Sequence, residues 1–306
     1  YYLRFVRGVV DSPDFSLNIS REMLQNDGTL KAVGSNLAKK VRSELERMMK
    51  DEPEKYREFY GSFGLQLKYG VVDNYGADKD ALKDLLMFES SAGGMTGLSD
   101  YVKNMPEKQD KIYFIVSDSA EHAKSLPQME PVLEKGYGVL LMTDDVDSFL
   151  VNILGEYGGK QFCNVSTDDL GLESEEEKKE SDEKEEGHKG TLDFVKETLG
   201  ESVSEVRISR KLKNHAVLLT TKGNITFEME KYFKSLPGSE GEMLKASRVI
   251  ELNAEHGFFR SLEETIGKDK ERAAKMVRIM YGQASITAGV PLEDPVAYSD
   301  LVLSMF

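Results

Sequence analysis

The sequence predicts a chain that is α/β in its first half and α+β in its second. Three largely apolar runs, at residues 112–116, 139–142 and 162–165, alternate with short helical patterns, as in a parallel sheet covered by helices. Long stretches with an apolar residue every three or four positions precede these runs. We therefore expect a small three-layer αβα subdomain with flanking helices, followed by an α+β domain that ends in helices.

Helices are predicted on the N-terminal side of the sheet. The first and longest helix is followed by a second that begins at Pro53, because proline suits the first helical turn. A third, shorter helix carries Leu82 and Leu85. The glycine-rich stretch Ser90–Gly97 is predicted to be a surface loop, since its spacing fits neither a dinucleotide-binding nor a Walker A motif. The apolar face of the first and longest helix comprises Leu30, Val33, Leu37, Val41 and Met48.

The three apolar runs are predicted to be buried strands, with helices at residues 120–125 and 149–154 between them. Cys163 lies within the last strand, so we expect a buried structural thiol there and not a nucleophile. Units of this kind often bind ligands beyond their strand ends. A small-molecule enzyme therefore stays open as a possible function, provided that a deep pocket lies at that place.

A highly charged segment separates the two halves. From Glu173 to Glu186 the sequence contains only Glu, Asp, Lys and Ser, so it has no apolar side chain to bury. We predict a first domain at residues 1–170, a charged linker at 171–190 and a second domain at 191–306.

The second domain is predicted to mix strands and helices. A helix at 192–199 comes first, and strands follow near Val206, at 216–220 and at 248–252, with a short helix at 225–233 among them. The remaining elements are helices. Their predicted N-terminal caps are Asn253, Asp269 and Asp294.

The charge balance excludes several classes of partner. Lys and Arg number 40 and Asp and Glu 54, a net charge of −14, which argues against binding to nucleic acid or to an anionic membrane. No apolar run approaches the ~20 residues that cross a bilayer. The single cysteine allows no internal disulfide and is compatible with the cytoplasm. The chain begins at Tyr1 without an initiator Met, so we expect a piece of a longer protein.

Near the N-terminus, the stretch Leu17–Gln25 predicts an extended loop that runs into a short helix. Asn18 and Ser20 are both suitable N-caps, and the helix holds Arg21 on its first turn. The helix dipole disfavours a cation there, so another group has to attract the arginine. A phosphate or carboxylate fits the planar guanidinium, although pairing with a surface acid is the simpler alternative.

These residues also resemble a known family. The sequence FVRGVVDS at residues 5–12, followed by LNISREMLQ at 17–25, resembles the middle domain of the ninety-kilodalton heat-shock chaperone family, bacterial HtpG type. The resemblance implies that Arg21 contacts the terminal phosphate of ATP, with Asn18 and Gln25 in the same loop. The ATP and its Mg ion are expected in an N-terminal domain that this sequence lacks. The full-length protein should therefore hydrolyse ATP, and this stretch should be inactive alone.

The last two predicted helices have apolar residues along one side. A twofold partner that presents the same pair closes a four-helix bundle, whereas packing against the domain's own sheet is the alternative. The segments RVIELNAEHGFF (248–259) and PLEDP (291–295) resemble the dimerisation domain of the same family. The predicted interface residues are Met276, Ile279, Met280, Gln283, Leu301, Val302 and Met305.

Two further helices are candidate binding surfaces for unfolded client proteins. The short helix at 225–233 has apolar residues on several faces, more than one buried stripe needs. The resemblance implies client contacts at Phe149 and Asn152 of a second helix, although ordinary core packing is the alternative for both. The contacts implied on the first helix are Ile225, Met229, Tyr232 and Phe233.

The function that the resemblance implies is an ATP-dependent molecular chaperone that acts as a cytoplasmic homodimer on unfolded clients. A nucleotide-independent dimeric scaffold is the alternative. We predict no metal site in this stretch, because the four histidines, His122, His188, His215 and His256, lack metal-ligand spacing.

Overall fold

The computed structural model describes residues 2–10, 28–167, 170–172, 185–209, 212–223, 225–235 and 245–306. Helices and strands are mixed, and the described strands belong to two sheets, which confirms the mixed fold class in outline. Two compact units make up the chain. The first comprises Tyr1–Glu89, Gly93–Asn104 and Phe149–Gly159, and the second Ser90–Ala92, Met105–Ser148 and Lys160–Phe306. The linker predicted at 171–190 stays a prediction, since residues 173–184 lie outside the described residues.

The first unit consists mainly of helices. Helix α2 (Pro53–Val72) begins with its proline in the first turn, as predicted, and buries Tyr56, Leu67 and Val71. The centroid of the Phe5 ring lies 5.2 Å from that of Phe59, so the N-terminal segment packs against α2. The other helices are α1 (Gly28–Asp51), α3 (Lys79–Leu82) and α4 (Leu98–Lys103).

The prediction of a loop at Ser90–Gly97 was wrong in part. Strands β1 (Met87–Ser90) and β2 (Met95–Gly97) form an antiparallel pair, with Met87 opposite Gly97. Gly93 and Gly94 turn the chain between them with φ values of 98° and 75°, which glycine adopts without strain. The strand β2 has only three residues and no apolar alternation, so its sequence gives no strand signal.

The α/β part of the second unit has the predicted parallel strands. Strand β3 (Ile112–Val116) lies between β4 (Val139–Met142) and β6 (Lys160–Asn164), and all five β3 residues are buried. Cys163 is buried, as predicted. The elements between these strands in the chain are α5 (Ala120–Ser125), α6 (Glu130–Glu134), α7 (Asp147–Leu154) and the two-residue strand β5 (Glu156–Tyr157), and the part from Phe149 to Gly159 belongs to the first unit.

The rest of the second unit is built on a three-stranded sheet. Strand β9 (Ser247–Leu252) pairs in parallel with β7 (Glu205–Ile208) and antiparallel with β8 (Val217–Lys222). Ile250 and Leu252 are fully buried and share a core with Val195, Leu262 and Val277. The helices of this part are α8 (Lys189–Leu199), α9 (Phe227–Ser235), α10 (Gly257–Lys268), α11 (Lys270–Thr287) and α12 (Pro295–Leu303).

Two of the three predicted helix caps are confirmed. The carboxylates of Asp269 and Asp294 accept backbone hydrogen bonds at the starts of α11 and α12. The cap predicted at Asn253 was wrong, because His256 caps α10, its Nδ1 accepting from the N–H of Phe258 at 3.1 Å. Asn253 is buried instead and donates to the carbonyls of Lys213 and His215.

Candidate functional surfaces

The predicted phosphate-contacting loop lies outside the described residues. Asn18, Arg21 and Gln25 all fall within 11–27, so their role stays a prediction.

Helix α9 presents fewer apolar side chains than its sequence suggests. Met229 is only 6% exposed, and Ile225, Tyr232 and Phe233 are half-buried. The rings of Tyr232 and Phe233 meet edge to face, with centroids 5.8 Å apart. The available apolar surface of α9 therefore centres on Tyr232 and Phe233.

A buried carboxylate anchors α9. Glu230 is 4% exposed, and its Oε1 accepts from Lys234 Nζ at 2.6 Å and from Arg248 Nη2 at 3.1 Å. Its Oε2 accepts from the backbone N–H of Ala246 at 2.8 Å. Burial by itself raises the pKa of a carboxyl, but the hydrogen bonds from Lys234 and Ala246 outweigh it, and the pKa of Glu230 is lowered.

This anchor was missed from the sequence. Glu230 and Lys234 are four residues apart, a spacing that indicates a helical ion pair, but Arg248 is the second residue of β9 and Ala246 directly precedes that strand. Arg248 also lies over the ring of Phe227, at 5.9 Å from its centroid. An ion pair from Glu230 and a cation–ring contact from Phe227, both to Arg248, thereby hold α9 against the sheet.

Helix α7 carries the second predicted client surface. Asn152 is exposed and Phe149 is half-buried, whereas Leu150 and Leu154 are buried on the opposite face. Lys79 donates to the carbonyl of Ile153 at 3.1 Å, which fixes the end of α7 within the first unit. The side chain of Asn152 is thus available for contacts, and that of Phe149 is available in part.

The C-terminal helix α12 is apolar yet has no buried residue in the single chain. Val296 is 71% exposed, Leu303 is 66% exposed and the terminal Phe306 is fully exposed. Tyr298 packs so closely on Gly282 of α11 that a Cβ at position 282 would overlap its ring, which fixes where α12 lies. An apolar helix that its own chain leaves uncovered is typical of an interface between proteins.

The seven predicted interface residues have different surroundings. Met276, Ile279, Leu301, Val302 and Met305 are half-buried. Met280 is 4% exposed and belongs to the core of its own unit, so it has little area left to offer a partner. Gln283 is exposed, and its amide donates to the hydroxyl of Tyr298 within the chain.

A cleft of about 240 Å³ lies in the second unit, at the ends of β3 and β6. The sequence analysis kept ligand binding beyond these strand ends as a possibility. Ser117 and Asp118, directly after β3, and Ser166 and Thr167, after β6, form one side. Residues of β8, α9 and the segment after α11 form the other side.

The part of the chain that the structure describes has no cluster of three or more His, Cys, Asp or Glu side chains placed to hold a metal ion. Within the same residues, no helix combines the length and the apolar character that crossing a bilayer requires.

Comparison with known proteins identifies the family. A family model described as Hsp90 protein matches residues 1–306. The chain belongs to the Hsp90 family. Among its relatives, Chaperone protein HtpG of Clostridium perfringens (strain ATCC 13124) is 46% identical over 300 residues, which cover 98% of this chain and 47% of that protein. Chaperone protein HtpG of Bacillus subtilis (strain 168) is 43% identical, with 98% of this chain and 48% of that protein covered.

The chain spans about half the length of the Hsp90-family relatives that it matches. The resemblance inferred from the residues near Arg21 and from the C-terminal motifs is therefore confirmed at the level of the family. The roles of individual site residues stay predictions.

The anchor of α9 has a testable pH dependence. The ionised form of Glu230 contributes stability at neutral pH, which is lost as pH falls from the usual value of 4.5 through the lowered folded-state pKa. We expect Glu230→Gln to lower the free energy of unfolding by about 2 kcal/mol at neutral pH, and this difference to shrink on acidification. Chemical denaturation at several pH values, followed by circular dichroism, measures it.

The matched control is Glu264→Gln. Glu264 pairs with Lys268 at 3.5 Å on the surface of α10, with side chains 72% and 76% exposed, so its loss should be nearly neutral at every pH. A Glu230→Gln difference that stays constant through the acid range would contradict the role of the ionised carboxylate.

Proposed function

We propose that the chain is the middle and C-terminal part of an ATP-dependent molecular chaperone, which binds unfolded client proteins as a cytoplasmic homodimer. The observation that carries this proposal is the similarity, over 98% of the chain, to proteins named Chaperone protein HtpG. The exposed apolar helix α12 and the partly exposed aromatic side chains of α9 support it. A single, buried cysteine is consistent with the reducing cytoplasm.

In this proposal Arg21 links the chain to ATP. A guanidinium is always charged and can bind two phosphate oxygens at once, so it stabilises the charge that develops on the γ-phosphate during hydrolysis. Asn18 and Gln25, in the same stretch of sequence, are proposed to act on the same ATP. The nucleotide and its Mg ion are bound by a part of the protein outside this sequence, so this chain alone does not turn over ATP.

Dimerisation is proposed through α11 and α12. These helices offer Ile279, Leu301, Val302 and Met305, which are half-buried in the single chain, beside the exposed Val296. A twofold copy of the pair completes a four-helix bundle and removes this surface from water. Each apolar Å² that is buried contributes roughly 25 cal/mol.

Client binding is proposed at two places. On α9, Tyr232 and Phe233 offer aromatic surface that accepts many apolar side chains, and the half-buried Ile225, just before the helix, and the buried Met229, one turn before them, complete the proposed set. On α7, Phe149 and Asn152 offer one apolar and one polar contact. Closing of the dimer after ATP binding would change how these surfaces meet a client.

Replacing Arg21 tests the link to ATP. We expect Arg21→Ala in the full-length protein to lower the rate of ATP turnover at least about tenfold, because a transition-state contact is lost. Steady-state ATPase assays measure it. The control is Arg260→Ala, since Arg260 is exposed on α10 and donates to the carbonyl of Glu255. Turnover of Arg21→Ala within about twofold of wild type would instead favour the nucleotide-independent scaffold.

Replacing Gly282 tests the dimer. A Cβ at this position displaces the ring of Tyr298 and moves α12, so we expect Gly282→Ala to raise the dimer dissociation constant at least about tenfold. Light scattering over a concentration series measures it. The control is Gly267→Ala in α10, where a Cβ meets nothing within 4 Å. A wild-type chain that is monomeric at tens of micromolar would rule out the bundle.

Charging the exposed part of α9 tests client binding. We expect Phe233→Asp to weaken suppression of aggregation of a denatured model protein several-fold, because a charge disrupts an apolar contact surface. Met229 is unsuitable for this test, since a charge at a buried position destabilises the fold itself. The control is Leu133→Asp, at a residue of α6 that is 42% exposed. Equal suppression by both variants and wild type, with equal thermal stability, would dismiss the α9 surface.

A further inference from the structure

A turn in the first unit carries a tyrosine that is almost completely exposed. The turn Asp73–Gly76 follows α2, and the side chain of Tyr75 within it is 99% exposed. Aromatic side chains commonly bury most of their large apolar area. Tyr75 therefore gains almost no burial from its own chain.

The backbone of Tyr75 is also strained. Asn74 and Tyr75 have φ values of 53° and 54°, in the left-handed region, and Gly76 follows with a φ of 81°. Glycine adopts this region without cost and asparagine tolerates it, whereas the Cβ of a tyrosine crowds the following carbonyl oxygen. Residues held in such conformations cluster at functional sites, so the exposed ring of Tyr75 is a candidate contact for another molecule.

The neighbours of Tyr75 hold the turn in place. Gly76 is buried, and a Cβ placed on it would lie 2.6 Å from Ile153 Cγ2, so the turn packs directly against α7. Lys79, just after the turn, donates to the carbonyl of Ile153 at 3.1 Å. Neither contact involves the side chain of Tyr75, which is therefore presented to solvent by a backbone that its neighbours fix.

This contact brings Tyr75 close to the client surface proposed on α7. Ile153 directly follows the exposed Asn152, and it lies four residues after Phe149, on the same face of the helix. The contact between Gly76 and Ile153 keeps the Cα atoms of Tyr75 and Asn152 within about 14 Å of each other. An extended segment of about five residues spans that distance, so a single client segment can touch both residues.

The size of the contact favours an unfolded partner. A tyrosine side chain buries at most roughly 200 Å², whereas a stable interface between folded proteins buries about 800 Å² on each partner. A lone ring on a turn is thus too small to dock a folded protein. It suits an unfolded chain, which can follow a surface and touch it at several separate places.

We propose that Tyr75 is a further client-binding residue, which extends the α7 surface of Phe149 and Asn152 and contacts an apolar side chain of an unfolded client segment. This inference rests on the proposed chaperone function. Because the ring of Tyr75 is already exposed, a client gains this contact without displacing a contact within the chain.

The first test places a photo-crosslinking residue, p-benzoylphenylalanine, at single positions of the full-length protein. It replaces Tyr75, Phe149 or, as the control, Leu65, which is 44% exposed on α2 of the same unit. The probe is reduced, carboxymethylated α-lactalbumin, which stays unfolded, and native α-lactalbumin is the folded comparison. We expect positions 75 and 149 to crosslink the unfolded probe at least about threefold more than position 65, and the folded protein no more than position 65 does.

The crosslinking pattern separates the two proposals. Crosslinks from position 149, with none above the control from position 75, would overturn the role of Tyr75 and leave the proposed chaperone function standing. The absence of crosslinks above the control from both positions would overturn the proposed α7 surface together with this inference.

The second test replaces the ring. We expect Tyr75→Asn to weaken binding of the unfolded probe about threefold, because an aromatic contact is lost, and Tyr75→Phe, which keeps the ring, to bind as wild type does. Fluorescence anisotropy of labelled probe measures the affinity. Since asparagine tolerates the left-handed region, Tyr75→Asn should melt at or above the wild-type temperature by circular dichroism. Unchanged affinity of Tyr75→Asn, or a lowered melting temperature that reveals a structural role for the ring, would overturn the inference.

Discussion

The second unit depends on the central position of β9. This strand pairs with β7 on one side and β8 on the other, and it buries Val249, Ile250 and Leu252. The one charged residue between them, Glu251, is 1% exposed and is paired by Arg207 at 2.6 Å and by Ser209. The Arg207 side chain is 37% exposed, whereas Glu251 is buried, so losing these partners would leave a carboxylate in the sheet without compensation, and the sheet has little tolerance for change at this strand.

The position of α9, which carries one of the proposed binding surfaces, depends on this strand. Arg248, near the start of β9, reaches Glu230 and so fixes α9 against the sheet. That fixation buries Met229 and leaves Tyr232 and Phe233 at the edge of the helix. Helix α11 joins the same core through Val277 and Met280, whereas α12 has no buried residue. Helix α11 therefore stabilises the unit, and α12 offers the apolar surface that is proposed to bind a second copy.

The sequence predicted most of the regular elements because their signals are local. The continuous apolar runs gave β3 and β4 at their observed bounds, and Pro53, Asp269 and Asp294 marked helix starts that the structure confirms. The strand β2 was missed because three residues give no apolar alternation, and the cap of α10 was missed because histidine is not among the usual N-cap residues. The role of Arg21 came from resemblance, and it stays a prediction because the loop lies outside the described residues.

The sequence by itself determined the family and the mixed fold class. It could do so because motifs and short-range apolar periods are properties of neighbouring residues. Only the tertiary structure decided that Met229 and Met280 are core residues and that Glu230 is anchored from β9. Each of these properties depends on contacts between residues that are far apart in the sequence. Such contacts form only when the chain has folded and the sheet is in place.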